Sequence, residues 1–281
     1  MRPDDARAAL KHGVQGLIVS NYGGMLAPGT ASPIEVLPGI AEAVAGKVPV
    51  LIDGNFRRGS DIVKALAYGK LKMMRGEKVT GGTVFASSDP STYCAMANAG
   101  YDFIWTEMQH DTRDWENVAK MWQACPHAKA VPGVRVAYAD EREIQHAMDA
   151  GALVVVVPTI RTVEEGKAAR DWAYFPPRGK RSQGGGPAFS ADFWGTVPGG
   201  YRNTINDNVV LIEMIETVGG AAQAREIAAI PGVDAVFAAS GDLGNFSGYK
   251  QGDPDYERLI NVVHDAALAA RQASLRPLCL A

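Results

Sequence analysis

Short apolar runs rich in valine and isoleucine alternate with amphipathic stretches along the whole chain, and this alternation constrains the fold more than any other feature. The strand candidates are Gly16–Ser20, Val48–Asp53, Gly82–Ala86, Asp102–Glu107, Ala130–Val136, Leu153–Thr159, Val209–Glu216, Ala235–Ala239 and Leu275–Ala281. Most are apolar at successive positions, as expected of parallel strands covered by helices on both faces. Between them, Pro38–Ala45, Ser60–Tyr68, Pro90–Ala99, Asp140–Ala150, Val163–Trp172, Ala221–Ala229 and Asp255–Ala273 carry apolar residues at three- and four-residue spacing. Several of these begin at Asp, Ser or Pro, which favour helix starts. The pattern predicts an α/β architecture with right-handed crossovers. With about eight or nine units, a (β/α)8 barrel of the TIM type is favoured over a doubly wound sheet.

A chain of 281 residues, 47% of them hydrophobic, can build one or two full domains. Its 28 basic and 31 acidic residues give a net charge of -3, which leaves no electrostatic footprint for nucleic acid. The longest apolar run, Ala152–Pro158, falls far short of the roughly 18 residues that span a bilayer, so no membrane partner is expected. Met1-Arg2-Pro3-Asp4-Asp5 has no apolar core behind it, so no signal peptide is expected. Cys94, Cys125 and Cys279 show no metal-binding spacing, and an odd count argues against a disulfide framework. They read as reduced, mostly buried thiols in a cytoplasmic protein.

Two stretches break the rhythm. Residues 69–81 are basic, lack a strand pattern, and read as a short helix with a turn at a boundary between segments 1–69 and 70–281. Residues 176–204 form a long excursion rich in glycine and proline, of the kind that often acts as a lid. Within it, Arg178-Gly179-Lys180-Arg181 lacks the spacing of a phosphate-binding loop.

In barrels of this type, polar residues at the carboxyl ends of strands are the catalytic candidates. Four predicted strands carry them: Glu107-Met108-Gln109-His110-Asp111, Arg135, Glu213-Met214-Ile215-Glu216-Thr217, and Ser240-Gly241-Asp242-Leu243-Gly244. Glu216 and Asp242, from neighbouring strands, can hold a hard divalent cation and leave positions for substrate oxygens and water. Arg135 can stabilise charge on an enolate or oxyanion, and His110 can move a proton near neutral pH. Each residue also has a plainer role open to it. A glutamate at a strand end commonly serves an ion pair, and His110 also suits a solvated loop. Arg135 in an apolar strand requires a partner. Together they suit proton abstraction or carbon–carbon cleavage beside a carbonyl.

From about Lys70 onward the chain resembles the HpcH/HpaI aldolases, the metal-dependent class II pyruvate aldolases. The resemblance is carried by Asn98–Phe103, Glu107–His110, Val134–Val136, Met148–Ala152, Val157-Pro158, Phe175–Gly179, Ile215–Thr217, Pro231–Phe237 and Asp242-Leu243. It implies a phosphoenolpyruvate/pyruvate-type barrel that cleaves 4-hydroxy-2-oxo acids to pyruvate and an aldehyde. It also implies Glu216 and Asp242 as ligands of Mg²⁺, Mn²⁺ or Co²⁺, and Arg135 on the keto and enolate oxygen of a small 2-oxo acid. His110 would handle the proton of the aldol hydroxyl. Backbone N–H groups around Ser240, Gly241 and Asp242 would hold the carboxylate. Met214 stands in the pocket where many members have Gln, and Glu107-Met108-Gln109-His110 replaces Asp-x-Glu-His. A homo-oligomer is implied as well.

Residues 5–69 resemble part of an FMN-dependent α-hydroxy acid dehydrogenase, through Gly16–Gly24, Val48–Gly59 and Asp61–Leu66. In that family's Ser-Asn-His-Gly-Gly-Arg motif the base and the carboxylate clamp are replaced here by Tyr22 and Met25, and Asn55 replaces a phosphate-loop glycine. No FMN and no oxidase activity are therefore expected. FMN-dependent 2-hydroxy acid oxidation and an inactive fused or truncated barrel are the alternatives to the aldolase. The aldolase part lacks its last strand, and Val48–Asp53 is expected to fill the eighth place, between Gly82–Ala86 and Leu275–Ala281.

Overall fold

The computed structural model describes residues 3–20, 33–48, 50–53, 79–126, 128, 130–184, 197, 199–272 and 278–280. The chain divides into two compact units, Met1–Glu77 and Lys78–Ala281. The expected helix Ser60–Tyr68, most of the 69–81 stretch, and Tyr22, Met25 and Asn55 lie outside the described residues.

The first unit runs α1 (Pro3–Lys11), β1 (Leu17–Ser20), α2 (Pro33–Val44), β2 (Val50–Asp53). β1 and β2 pair in parallel, from Leu17 opposite Val50 to Ser20 opposite Asp53. Ala6, Leu17, Val19, Leu37, Ile40 and Val44 form a small core beneath the pair. The placing of Val48–Asp53 as the eighth barrel strand is thereby corrected. Val50–Asp53 is bonded to β1 in a two-stranded sheet, because the intervening helix supplies an apolar face that this local β-α-β unit covers.

The second unit runs β3 (Gly81–Phe85), α3 (Pro90–Ala97), β4 (Phe103–Glu107), α4 (Trp115–Gln123), β5 (Val131–Arg135), α5 (Glu141–Ala150), β6 (Val154–Val157), α6 (Val163–Ala173), α7 (Gly200–Asn208), β7 (Val210–Ile215), α8 (Val218–Ala222), α9 (Ala224–Ala228), β8 (Ala235–Ala238), α10 (Ser240–Ser247), α11 (Pro254–Gln272) and β9 (Leu278–Leu280). Among the described residues its sheet has seven strands, all parallel, in sequence order from β3 to β9. β6 and β7 are buried along their whole length, as the apolar run of β6 and the largely apolar run of β7, broken only by Glu213, predict.

The sheet curls on itself. Trp105 on β4 and Phe237 on β8 meet edge to face with ring centroids 5.9 Å apart. Three strands lie between them, and four steps of about 4.8 Å across a flat sheet would put them about 19 Å apart. Curvature of this kind, with a helix after almost every strand, is that of the TIM-type (β/α) barrel.

Side-chain caps start the helices on the carboxyl side of the strands. Asp89, Asp114, Asp140, Thr162 and Thr217 accept from the backbone N–H groups of Ser91, Asn117, Glu143, Glu165 and Gly220. Each such cap is worth about 1 kcal/mol and fixes where a βα loop ends.

The 176–204 excursion contains the start of α7 at Gly200, while residues 185–196 and 198 lie outside the described ones. It leads from α6 into β7, so both ends are anchored on the amino-terminal side of the strands. There Arg181, its side chain fully buried, pairs with Asp149 Oδ1 at 2.5 Å and donates to the Tyr201 hydroxyl at 2.9 Å. Arg178 and Lys180 pair with Asp207 and Asp171.

The reading of the cysteines as reduced, buried thiols is corrected for two of them. Cys94 on α3 and Cys125 just beyond α4 form a disulfide, and both are only half-buried. Packing of successive barrel helices brings them together, a contact that their 31-residue separation does not announce. The side chain of Cys279 lies outside the described residues. Among the described residues, no helix is long and apolar enough to cross a membrane.

Candidate active site

Glu107 and Arg135 are the last residues of adjacent strands and stand opposite each other in register. Arg135 Nε lies 2.5 Å from Glu107 Oε2, with side-chain exposures of 12% and 5%. The partner that an arginine in an apolar strand requires is therefore Glu107. The same carboxylate oxygen accepts from Trp105 Nε1 at 3.1 Å, and Oε1 accepts from the His110 backbone N–H at 3.1 Å. One carboxylate thus orients the guanidinium and the turn that carries His110. The guanidinium carbon stands 5.6 Å from the centroid of the Trp105 ring, and Nη1 lies 3.9 Å from Met214 Sδ. Arg135 is thereby directed toward β7.

Glu216 follows β7 and is 1% exposed. Its Oε2 accepts from the Thr159 hydroxyl at 2.7 Å, whereas Oε1 is buried without a hydrogen-bond partner. Burial pushes its carboxyl up from the ordinary range; Thr159 opposes that rise, the charge of Asp242 adds to it, and Arg135 pulls it down. Glu216, Asp242 and Arg135 therefore share one electrostatic neighbourhood. Asp242 is half-buried in the first turn of α10. Ser240 and Gly241 open that helix and are exposed, with no side-chain cap on its first N–H groups. Uncapped N–H groups at a helix start can receive a carboxylate.

His110 is exposed in the turn after β4. Asp111 beside it accepts from the Ser87 N–H at 2.9 Å and the Ser87 hydroxyl at 2.7 Å, tying this turn to the loop after β3. The structure thus brings Arg135, Met214, Glu216 and Asp242 together and ties His110 to them through Glu107. Ser240 and Gly241 stand at the rim of the same end of the barrel.

Glu213, from the same strand-end motif, belongs elsewhere. Successive side chains on a strand face opposite ways. Glu213 is turned to the helix layer, fully buried, with neither carboxylate oxygen bonded and Gly166 of α6 against it.

Glu107, Trp105 and Thr159 take part in the site without a role there having been expected of them. Glu107 had a usable signal, since it ends the strand next to that of Arg135 at an equivalent position. Thr159 had none, because its hydroxyl meets Glu216 across 57 residues.

Two carboxylates from successive strand ends, one with a buried and unpartnered oxygen, suit a hard divalent cation that keeps other positions for water and substrate. Among the described residues no cluster of three or more His, Cys, Asp or Glu side chains forms a closed metal cage.

The HpcH/HpaI aldolase/citrate lyase family model matches residues 83–278, and the FMN-dependent dehydrogenase model matches residues 1–86. A 2-dehydro-3,6-dideoxy-6-sulfogluconate aldolase of Pseudomonas putida is 33% identical over 199 residues, 71% of this chain and 76% of that protein. The human 2-hydroxyacid oxidase 1 is 47% identical over 85 residues, which span 30% of this chain and only 23% of the oxidase. Among solved structures, an HpcH/HpaI aldolase/citrate lyase family protein from Burkholderia cenocepacia superposes with a TM-score of 0.65 at 27% identity, covering 75% of this chain and 90% of that one. An HpcH/HpaI aldolase from Desulfitobacterium hafniense gives a TM-score of 0.63 at 25% identity, over 72% of this chain and 78% of that one. The chain belongs to the HpcH/HpaI aldolase/citrate lyase family, and it is a carbon–carbon lyase of that family.

Proposed function

We propose that the protein is a divalent-metal-dependent aldolase that cleaves 4-hydroxy-2-oxo acids reversibly to pyruvate and an aldehyde. The observation that carries this reading is the convergence on one barrel end of a buried, carboxylate-oriented Arg135 with Glu216, which keeps one buried, unpartnered oxygen and whose carboxyl feels the charge of Asp242. Glu216 and Asp242 would hold the ion, and Lewis acidity supplied there lowers the energy of an enolate. The Arg135 guanidinium would face the keto oxygen of the substrate and stabilise the negative charge that develops on it. The first N–H groups of α10, at Ser240, Gly241 and Asp242, would take the substrate carboxylate. Met214, in contact with the guanidinium, would border the bound 2-oxo acid. His110 would take the proton of the C4 hydroxyl in cleavage and return it in the aldol direction.

A homo-oligomer belongs to the same reading. Phe85, at the carboxyl end of β3, and Tyr138, Val218, Phe246 and Tyr249, which come after the carboxyl ends of other strands, are exposed, which suits cover by a second copy. FMN-dependent oxidation is not part of the proposal, since Tyr22 and Met25 replace the motif's base and clamp and the match spans under a quarter of the oxidase.

Enolate formation can be read without an aldehyde. In D₂O with pyruvate and Mg²⁺, Mn²⁺ or Co²⁺, the methyl protons should exchange for deuterium, as followed by proton NMR, and exchange should stop on chelation. Exchange no faster than in buffer with each metal would contradict the reading.

A further inference from the structure

We infer that Thr159 is a positioning residue for Glu216, its hydroxyl holding one carboxylate oxygen so that the other is presented to a divalent cation. The inference rests on the aldolase reading for the cation and on the strand-end geometry for the residue.

β6 runs in register with β7 up to Val157 opposite Glu213. A regular continuation would bring the Thr159 N–H to the Met214 carbonyl. Instead the Ile160 N–H bonds that carbonyl, at 3.0 Å. One extra residue is therefore accommodated at Pro158-Thr159, as in a β-bulge, a device that re-aims a side chain at a strand end. Thr159 also takes a φ of 55°, left-handed backbone that a β-branched residue rarely adopts. Such a conformation persists only where its surroundings over-determine it.

Those surroundings are rigid. Gly220 packs so closely on the Ile160 carbonyl that a Cβ there would lie 2.6 Å from the oxygen. The Val163 N–H donates to Gln223 Oε1 at 3.2 Å, and the Arg161 N–H to Glu165 Oε2 at 2.7 Å. The loop after β6 is thus clamped between α6 and the helices that follow β7. A glycine would meet the φ requirement without strain. What threonine adds is a hydroxyl, and it donates to Glu216 Oε2 at 2.7 Å, leaving Oε1 buried and unpartnered. Partners behind a ligating carboxylate fix its orientation, and their loss commonly weakens metal binding about 10- to 100-fold.

The test is a Mn²⁺ titration followed by the EPR signal of the free ion, on the full chain and on Thr159→Val, Thr159→Ser, Thr159→Gly and Glu216→Gln. The wild type should bind one Mn²⁺ per chain, and Thr159→Val should bind roughly tenfold or more weakly. Thr159→Ser, which keeps the hydroxyl, should stay within about threefold of the wild type. Thr159→Gly relieves the backbone and should bind as weakly as the valine variant while melting no lower than the wild type. Wild-type affinity in Thr159→Gly or Thr159→Val, with binding lost in Glu216→Gln, overturns the role of Thr159 and leaves the aldolase site standing. Absence of saturable Mn²⁺ binding in the wild type, or unchanged binding in Glu216→Gln, overturns the site reading and this inference with it.

Discussion

Arg135 Nε and Glu107 Oε2 lie 2.5 Å apart at the last residues of two adjacent parallel strands, both side chains largely withdrawn from water. A buried pair of this kind holds its geometry because removing one partner leaves an uncompensated charge. Glu107→Gln should keep the shape of the pair but release the guanidinium, lowering kcat for pyruvate release by about a hundredfold through misplacement of Arg135. In a double-mutant cycle with Arg135→Lys the two changes should couple by about 1 kcal/mol or more in transition-state energy. Additive effects would show that the two residues act independently.

Glu213 predicts an unusual dependence of stability on pH. Burial pushes its carboxyl up to about 8, with the charge of Arg170 opposing, against an ordinary value of 4.5. Between those values the unfolded chain has released its proton and the folded chain retains it, so stability falls as pH rises from about 4.5 to about 8. Glu213→Gln removes that loss by a few kcal/mol at the alkaline end. Melting temperatures measured from pH 5 to 9 should converge at low pH and separate in favour of the variant at high pH. Parallel profiles would contradict the assignment.

Arg181 gives a prediction for stability without activity. Its side chain is fully buried between Asp149 and Tyr201, with the guanidinium carbon 4.3 Å from the Phe175 ring centroid. Arg181→Met keeps the volume and strands the Asp149 carboxylate, which is partly exposed, at a cost of about 2–4 kcal/mol. A drop in melting temperature of roughly 5–15 °C is expected by calorimetry. The αβ end of a barrel supports the fold, whereas chemistry sits at the other end. Turnover at 25 °C should therefore match the wild type, and a comparable loss of kcat would place this loop in the site.

The strands were legible because burial on both faces imposes apolar runs such as Leu153–Thr159, and each such run holds a strand. The helices capped by Asp140 and Thr162 were legible too, although α4, which Asp114 caps, was not among those expected. The polar helix α7 and the glycine-containing α10 were not. Arg202 and Asn203 in the first fell within the 176–204 excursion, and Ser240-Gly241 in the second read as the end of a strand. Within the site, residue types at strand ends pointed to Arg135, Glu216 and Asp242. The hydroxyl behind Glu216 and the Cys94–Cys125 disulfide depend on loop and helix packing between distant residues, which no local pattern encodes. Period-two alternation alone separates Glu213 from Glu216, placing the first toward the helices and the second toward the site.

The central claim is tested most directly by coupling pyruvate release from 4-hydroxy-2-oxo acids to lactate dehydrogenase, using metal-stripped wild type, Glu216→Gln and Asp242→Asn. Added Mg²⁺, Mn²⁺ or Co²⁺ should restore wild-type turnover and chelation should abolish it, while each variant loses about a hundredfold or more. Metal-dependent turnover unchanged in either variant, or wild-type turnover that survives chelation, would contradict the account.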